Sequence, residues 1–264
     1  MEADKSDNKK NQKRPNRPWR KTHQLLASSV IENGEVKIYN IRDFRYPSGD
    51  ENNPEVRFIN KTFPINTIES TWLSCITFRP RFAHLIVSFG ISDGTYIAIS
   101  VEIRYKENDP YILWKTFTPH YWLSYVIATE EDVLRLRTDV RKNELVYTYR
   151  LALSPEESQN LFLDMIKRAE KVNHHSPERF NSAYNSCTSN TISHISQASK
   201  RKLPFHFSHY FTSSLDRYLA KEGFFEIKGK LSEESREKHF INEVAKNIPT
   251  EAKNFSAQIR RAFI

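Results

Sequence analysis

The chain has 264 residues, 38 % of them hydrophobic and 12 % aromatic, enough for one large domain with a complete core. Its six glycines form no phosphate-cradling run, which excludes a nucleotide-binding glycine loop or a dinucleotide fingerprint. The formal charge of +8 is unevenly placed: residues 1–20 hold seven Lys/Arg against three acids, half of the excess, on a stretch nearly devoid of apolar side chains.

Such a stretch cannot bury enough surface to offset its ordering entropy, so residues 1–17 are expected to be a disordered basic tail. It reads either as simply solvated or as attracted to anionic headgroups or nucleic acid; no specific nucleic-acid binding is expected. No segment approaches the ~18 apolar residues of a spanning helix. No apolar run follows the basic N-terminus as it would in a secretory signal. The expectation is a soluble chain, or the soluble part of a longer, anchored protein.

Along the chain, Glu35 to Tyr39 alternates apolar and polar residues as a half-buried strand does. A loop rich in Pro, Gly and Asn follows over 47–54, and Arg57 to Phe63 reads as a second strand. Residues 84–89 and 95–105 are the clearest strands and flank Asp93-Gly94, a hairpin signal. Two more strands are expected over 122–128 and 144–151. Ser154-Pro155-Glu156-Glu157 then opens a helix, with serine as cap, proline in the first turn and acids at the positive dipole end. It runs to about Lys171. A second helix is expected to begin at Cys187 or Thr188, and residues 231–248 read as a polar, peripheral helix. The pattern is α+β, an antiparallel sheet with helices after it.

Two cysteines are too few for a disulfide scaffold or a structural zinc site, and no metal or cofactor is expected. A single Cys75–Cys187 bond remains open. Cys75 lies in the apolar run Thr71 to Phe78, where a small buried thiol is the ordinary outcome. Cys187 lies in Asn185-Ser186-Cys187-Thr188-Ser189-Asn190, a row of helix-capping residues. A cysteine just inside such a cap meets unpaired N–H groups and the positive end of the helix dipole, which favour the nucleophilic thiolate. The alternative is a polar cap with an incidental cysteine.

Nine histidines compete to serve that thiol. His84 opens an apolar strand and so can be aimed rigidly; the alternative is a core histidine held by one hydrogen bond. His174, His175, His206 and His209 fall in polar stretches and read as surface residues, with His120 and His194 intermediate. Glu102 is the best acid to orient the imidazole. A two-residue Asp93-Gly94 turn would set His84 against Ile103 and turn Glu102 away; an odd-length loop would put both on one face.

Ile38 to Tyr46, Ala83 to Gly90, Ser100 to Arg104, Leu136-Arg137-Thr138 and the Asn185 to Thr188 cluster together resemble the Lnb N-terminal periplasmic domain family. The likeness runs from about Pro18 to Arg260. It implies an extracytoplasmic domain, often attached to transmembrane helices and linked to N-acylation of bacterial lipoproteins. It also implies a circularly permuted papain-like, NlpC-like core, with domain boundaries of 18–225 for the thiol-enzyme domain and 226–264 for a helical extension. By position, Cys187 and His84 match the family's cysteine and histidine. Arg42, Tyr46, Glu102 and Asn185 match further motif positions, and Arg42, Tyr46 and Asn185 are expected to bind substrate or its oxyanion. The sequence departs at Ser186, where a second asparagine is usual, and at Thr77-Phe78-Arg79-Pro80, which replaces a tryptophan-containing segment. The expected function is thiol-dependent acyl transfer through a thioester, with phospholipid and lipoprotein as substrates and a membrane surface nearby. Trp114, Phe117, Tyr121 and Trp122 are read as bedding an acyl chain or the bilayer interface, or as ordinary packing. The alternatives are a cell-wall thiol amidase or peptidase and a non-catalytic lipid- or lipoprotein-binding module.

Overall fold

A computed structural model describes residues 18–79, 82–203, 212–227, 230–250, 252 and 254–263. The basic tail over 1–17, His206 and His209 lie outside these residues.

The strands are β1 (Ser28–Glu32), β2 (Glu35–Arg42), β3 (Phe58–Pro64), β4 (Ile68–Arg79), β5 (Phe82–Ile91), β6 (Tyr96–Arg104), β7 (Trp122–Thr129) and β8 (Leu145–Arg150). The helices are α1 (Glu130–Arg135), α2 (Pro155–Glu170), α3 (Cys187–Ser199), α4 (Leu215–Lys221), α5 (Glu233–Glu237), α6 (Asn242–Lys246) and α7 (Phe255–Gln258). The fold is α+β. One sheet runs β1-β2-β7-β6-β5-β4-β8, with β3 on the other edge of β2. Its pairings are antiparallel apart from one parallel contact, Arg42 with Ala128, which joins β2 to β7.

Side chains alternate across the sheet with the two-residue period of a strand. Leu85, Val87 and Phe89 of β5 face one layer together with Leu161, Phe162, Met165 and Ile166 of α2 and Ile192 and Ile195 of α3. Ile86, Ala98, Val126 and Val146 face the other layer with Val133 and Leu134 of α1 and Ile241, Ala245, Ile248, Phe255 and Ile259 near the C-terminus. Both faces are covered, so the central strands are buried nearly continuously.

The helix at Ser154 forms as its sequence demands. Ser154 accepts from the Glu157 N–H while the Glu157 side chain accepts from the Ser154 N–H, a complete capping box.

Residues 231–248 correct the expectation of one polar, peripheral helix. They form two short helices, α5 and α6, separated by a stretch that pairs with the edge strand β8. The Thr148 N–H donates to the His239 carbonyl at 2.9 Å and the Ile241 N–H to the Val146 carbonyl at 3.0 Å. Ile241 and Ala245 are fully buried and seal the second face. The charge content masked this burial, because the few apolar positions are divided, Leu231 and Phe240 packing on the first layer and Ile241, Ala245 and Ile248 on the second. Helix α1 was not read from the sequence, although Thr129 followed by Glu130, Glu131 and Asp132 is a cap with an acidic first turn.

Candidate functional site

The hairpin between β5 and β6 decides the site. The Gly94 N–H donates to the Ile91 carbonyl, Gly94 has φ +81°, and Gly90 pairs with Tyr96. The turn is therefore a three-residue loop, Ser92-Asp93-Gly94, closed by a left-handed glycine. Its odd length pairs Ile86 with Ser100 and, continued along the strands, sets His84 opposite Glu102. The two side chains share one face, with His84 Nε2 3.7 Å from Glu102 Oε1.

Strand pairing between β5 and β6 stops at Ile86–Ser100. Beyond it, β5 stays with β4 through Ala83, and β6 stays with β7 through Arg104. The start of α3 meets this opening. The Leu85 N–H, without a β6 partner, hydrogen-bonds the Cys187 sulfur. Cys187 is the first residue of α3, behind the cap Ser186. The Ser186 side chain accepts from the Ser189 N–H and its own N–H donates to Ser189 Oγ at 2.8 Å. Serine at 186, the departure from the usual asparagine, thus completes a capping box. The N–H groups of Cys187 and Thr188 are left without intrahelical acceptors.

Cys187 and His84 meet. Burial alone would raise the thiol's pKa, but the hydrogen bond to His84, the imidazole's charge, the Thr188 hydroxyl and the Leu85 N–H together bring it below its ordinary value. Burial alone would lower His84, but Cys187 and Glu102 raise it above the ordinary histidine value. Both shifts favour a thiolate–imidazolium pair. Cys75, by contrast, is buried within β4, and burial pushes its thiol well up. Both cysteines are free.

The hydrogen bonds also set the imidazole's protons. Ser100 Oγ donates to Glu102 Oε1 at 2.9 Å and lies 2.7 Å from His84 Nε2. With the serine proton committed to the carboxylate, Nε2–H must donate to Ser100, which leaves Nδ1 as the basic nitrogen for the thiol. The orienting link from Glu102 thus runs through Ser100. Burial works to raise the Glu102 carboxyl, yet His84, Arg137 and Arg42 hold it well below the carboxylate range. Arg137 Nη2 lies 3.3 Å from Glu102 Oε1, and its Nη1 is bidentate on Glu144.

Cys187, His84, Glu102, Arg137 and Glu144 line one cavity of about 370 Å³ with Arg20, His23, Arg42, Tyr46, Phe78, Val101, Ile103, Tyr105, Tyr111, Leu136, Arg141 and Phe180. Two expected binding residues are in it in altered roles. Arg42 grips Asp132 with Nε (2.8 Å) and Nη2 (3.1 Å), leaving Nη1 without a protein partner among the described residues. Tyr46 donates its phenol proton to Asp132 Oδ1 at 3.0 Å, and burial together with Asp132 pushes its pKa far up. The one phenol proton of Tyr46, expected from the sequence to serve substrate or its oxyanion, is here committed to Asp132. Asn185 does not line the cavity. Its amide donates to the Arg179 carbonyl and to Glu178, and its side-chain oxygen accepts from Asn190, so it braces the loop ahead of α3. His194 turns away to Asp164 at 2.6 Å and Tyr125 at 2.8 Å, and His120 is held by Asp109. His174 and His175 are exposed, as expected.

Sequence reasoning missed Ser100, Asp132 and His23. Ser100 stands two residues from Glu102, a same-face spacing that becomes meaningful only once the register is known. His23 accepts from the Tyr105 N–H through Nδ1 at 2.8 Å, and burial lowers it to about 4, so it faces the cavity uncharged with its proton on Nε2. No local pattern announces it.

A family model described as the Lnb N-terminal periplasmic domain matches residues 55–214, more than half of the chain. The chain belongs to this family. The match contains His84, Ser100, Glu102 and Cys187, whereas Arg42, Tyr46 and the C-terminal layer lie outside it. No curated protein and no solved structure matches this Lnb-family chain. The family is a periplasmic one, in keeping with an extracytoplasmic place. Among the described residues no helix is long and apolar enough to cross a membrane.

Replacing Ser100 with alanine tests the relay. The imidazole would lose its contact to the Glu102 carboxylate, its cationic form would be less stabilised, and its pKa would fall. Any reaction that relies on the imidazolium as acid is expected to slow roughly tenfold to a hundredfold. The alkaline limb of the pH–rate profile should move to lower pH with it. An unmoved limb would mean that Ser100 only fills space.

Proposed function

We propose that this protein is a cysteine-dependent acyltransferase that works through a thioester, with N-acylation of a lipoprotein from a phospholipid donor as its reaction. The observation that carries the reading is the Cys187–His84 pair, with the imidazole's tautomer set through Ser100 by Glu102. The thiolate attacks the ester carbonyl, and the Cys187 and Thr188 N–H groups at the helix start offer donors to the developing oxyanion. Collapse expels the lysolipid alkoxide, which takes the proton from His84, and leaves an acyl thioester on Cys187. The acceptor's amine then attacks that thioester while His84 Nδ1 removes its proton, and the departing thiolate returns the site to its start.

The cavity suits such a donor. Phe78, Val101, Ile103, Leu136 and Phe180 give it apolar walls, and Arg20 and the Nη1 of Arg42 are the donors suited to a phosphate, since Arg141 is already paired with Glu51 and Glu144. An extracytoplasmic, membrane-anchored setting follows from the same reading, because both substrates reside in the bilayer.

Mass spectrometry of the protein after incubation with phospholipid tests it. A mass increase of one acyl chain on Cys187, removable by hydroxylamine and absent from Cys187→Ala, is expected. Cleavage of cell-wall peptide without any lipid-derived adduct would instead make the site a thiol amidase. Lipoprotein acylation that survives Cys187→Ala would leave a binding module.

A further inference from the structure

The connection between β6 and β7, residues 105–121, borders the cavity mouth and carries an unusual load of exposed aromatics. Trp114 is 66 % exposed, Phe117 52 % and Tyr111 41 %, and Tyr111 also lines the cavity. The loop ahead of α3 is stitched to the same turn. The Ser182 N–H donates to the Thr116 carbonyl at 2.9 Å, Ser182 Oγ to Thr116 Oγ1 at 2.7 Å, and the Asn181 amide to the Phe117 carbonyl at 3.1 Å. Tyr184, 74 % exposed, therefore shares this surface with Trp114 and Phe117, three residues before the nucleophile. Singly exposed apolar residues need no explanation, but four exposed aromatics on two segments hydrogen-bonded to each other, one of them lining the cavity, do. Tyr121 takes the second reading that the sequence offered, ordinary packing: it is buried, its hydroxyl donating to the Pro110 carbonyl and accepting from the Ile112 N–H.

Cations flank the group. Arg104 and Lys106 lie over the Trp19 ring at 4.1 and 3.5 Å, and Arg179 lies 3.4 Å over Trp122. Besides partial burial, Arg104 and Arg179 push the Lys106 pKa down, a mark of like charges crowded together. Of the nearby acids, Asp109 is engaged by His120 and Glu107 is exposed. Residues 1–17, with six Lys/Arg against three acids, join the described chain at Pro18, whose carbonyl accepts the Glu107 N–H at 2.8 Å.

We propose that this face docks on an anionic phospholipid bilayer, with Trp114, Phe117 and Tyr184 entering the headgroup–acyl boundary and Lys106, Lys115, Arg104 and Arg179 meeting phosphates. The choice of occupant rests on the acyl-transfer reading and on charge. Aromatic rings with a polar edge settle at that boundary, and each nearby Lys or Arg adds to the attraction of an anionic surface. Size agrees. A cavity of 370 Å³ is at the small end of ligand sites, so it admits the reacting ester while the remainder of a diacyl lipid stays in the membrane.

The test uses the full chain carrying Cys187→Ala, which separates docking from chemistry, and sediments it with vesicles of mixed phosphatidylethanolamine and phosphatidylglycerol. Binding is expected, and much weaker binding to phosphatidylcholine vesicles. Adding Trp114→Ser, Phe117→Ser and Tyr184→Ser should lower the partition constant at least about tenfold. Tyr39→Ser with Ile59→Ser, exposed residues on β2 and β3, should change it less than about twofold. Lys106→Gln with Lys115→Gln should cost about tenfold or more on the anionic vesicles alone. Failure of the parent protein to bind, or equal binding by the aromatic variant, overturns the docking face. Iodoacetamide reactivity of Cys187 in the unsubstituted chain, measured without lipid, reports the thiol site separately, so a reactive thiol there together with no vesicle binding by the Cys187→Ala chain sinks only the docking proposal.

Discussion

Replacing Cys187 with serine is expected to lower the proposed acyl transfer by at least about 10³-fold while leaving the thermal transition unchanged. A hydroxyl at 187 can keep the helix start intact but ionises far above the range that His84 can serve. Replacing His84 with glutamine should be nearly as damaging, and the double variant little worse than either, because the two groups act as one unit. The pH dependence of thiol alkylation separates their parts. In the native site the thiol's pKa is lowered, with His84 the largest favourable contribution set against burial. The thiolate therefore persists below the ordinary thiol range and disappears only as the pH falls through that lowered value. In His84→Gln, burial acts with its main counterweight removed, so the alkylation midpoint must move up, above the ~8.5 of a free thiol. A midpoint that stays put in the variant would show that the imidazole does not govern the sulfur.

Replacing Arg260 with alanine is expected to destabilise the protein by about 3–5 kcal/mol. Arg260 Nη1 and Nη2 grip the two oxygens of Glu130 at 2.7 and 2.5 Å, and both residues are almost wholly buried. The guanidinium also lies over the Tyr96 and Trp72 rings at 3.9 and 4.6 Å, so it pins the C-terminal layer to the sheet. Truncating the arginine leaves a buried carboxylate without a counterion, and that uncompensated charge is the source of the loss. For a chain of this size the shift corresponds to roughly 10 °C in the midpoint of thermal unfolding. Replacing the pair together, Glu130→Leu with Arg260→Met, should recover most of it. A single variant that melts with the native protein would mean that this last segment is not part of the cooperative unit.

Arg260 also bears on where the domain ends. The family match stops at residue 214, yet Ile241, Ala245, Ile248, Phe255 and Ile259 supply the second apolar layer over Ile86, Val126 and Val146. Removing them would expose that face of the sheet carrying His84, Ser100 and Glu102.

Local signals in the sequence placed the strands β2, β3 and β5 to β8, the start of α2, and the start of α3 at Cys187 or Thr188. Each rests on local chemistry: period-two alternation, a serine with a glutamate three residues on, a row of capping residues before a cysteine. The sequence singled out Cys187 and His84 as well, one by its cap and one by its rigid strand, because those signals are local too. Glu102 could be read only as a residue on the correct or the wrong face, since one residue of loop length inverts the answer. The left-handed Gly94 and the three-residue turn resolved it in three dimensions. Ser100, Asp132 and His23 were settled only by tertiary structure. Each acts through a partner between 16 and 90 residues away, His84 for Ser100, Arg42 for Asp132 and Tyr105 for His23. Tyr46 and Asn185 show the same limit from the other side. Their motif positions are legible, but whether a hydroxyl or an amide is free to meet a substrate depends on which neighbour has already claimed it.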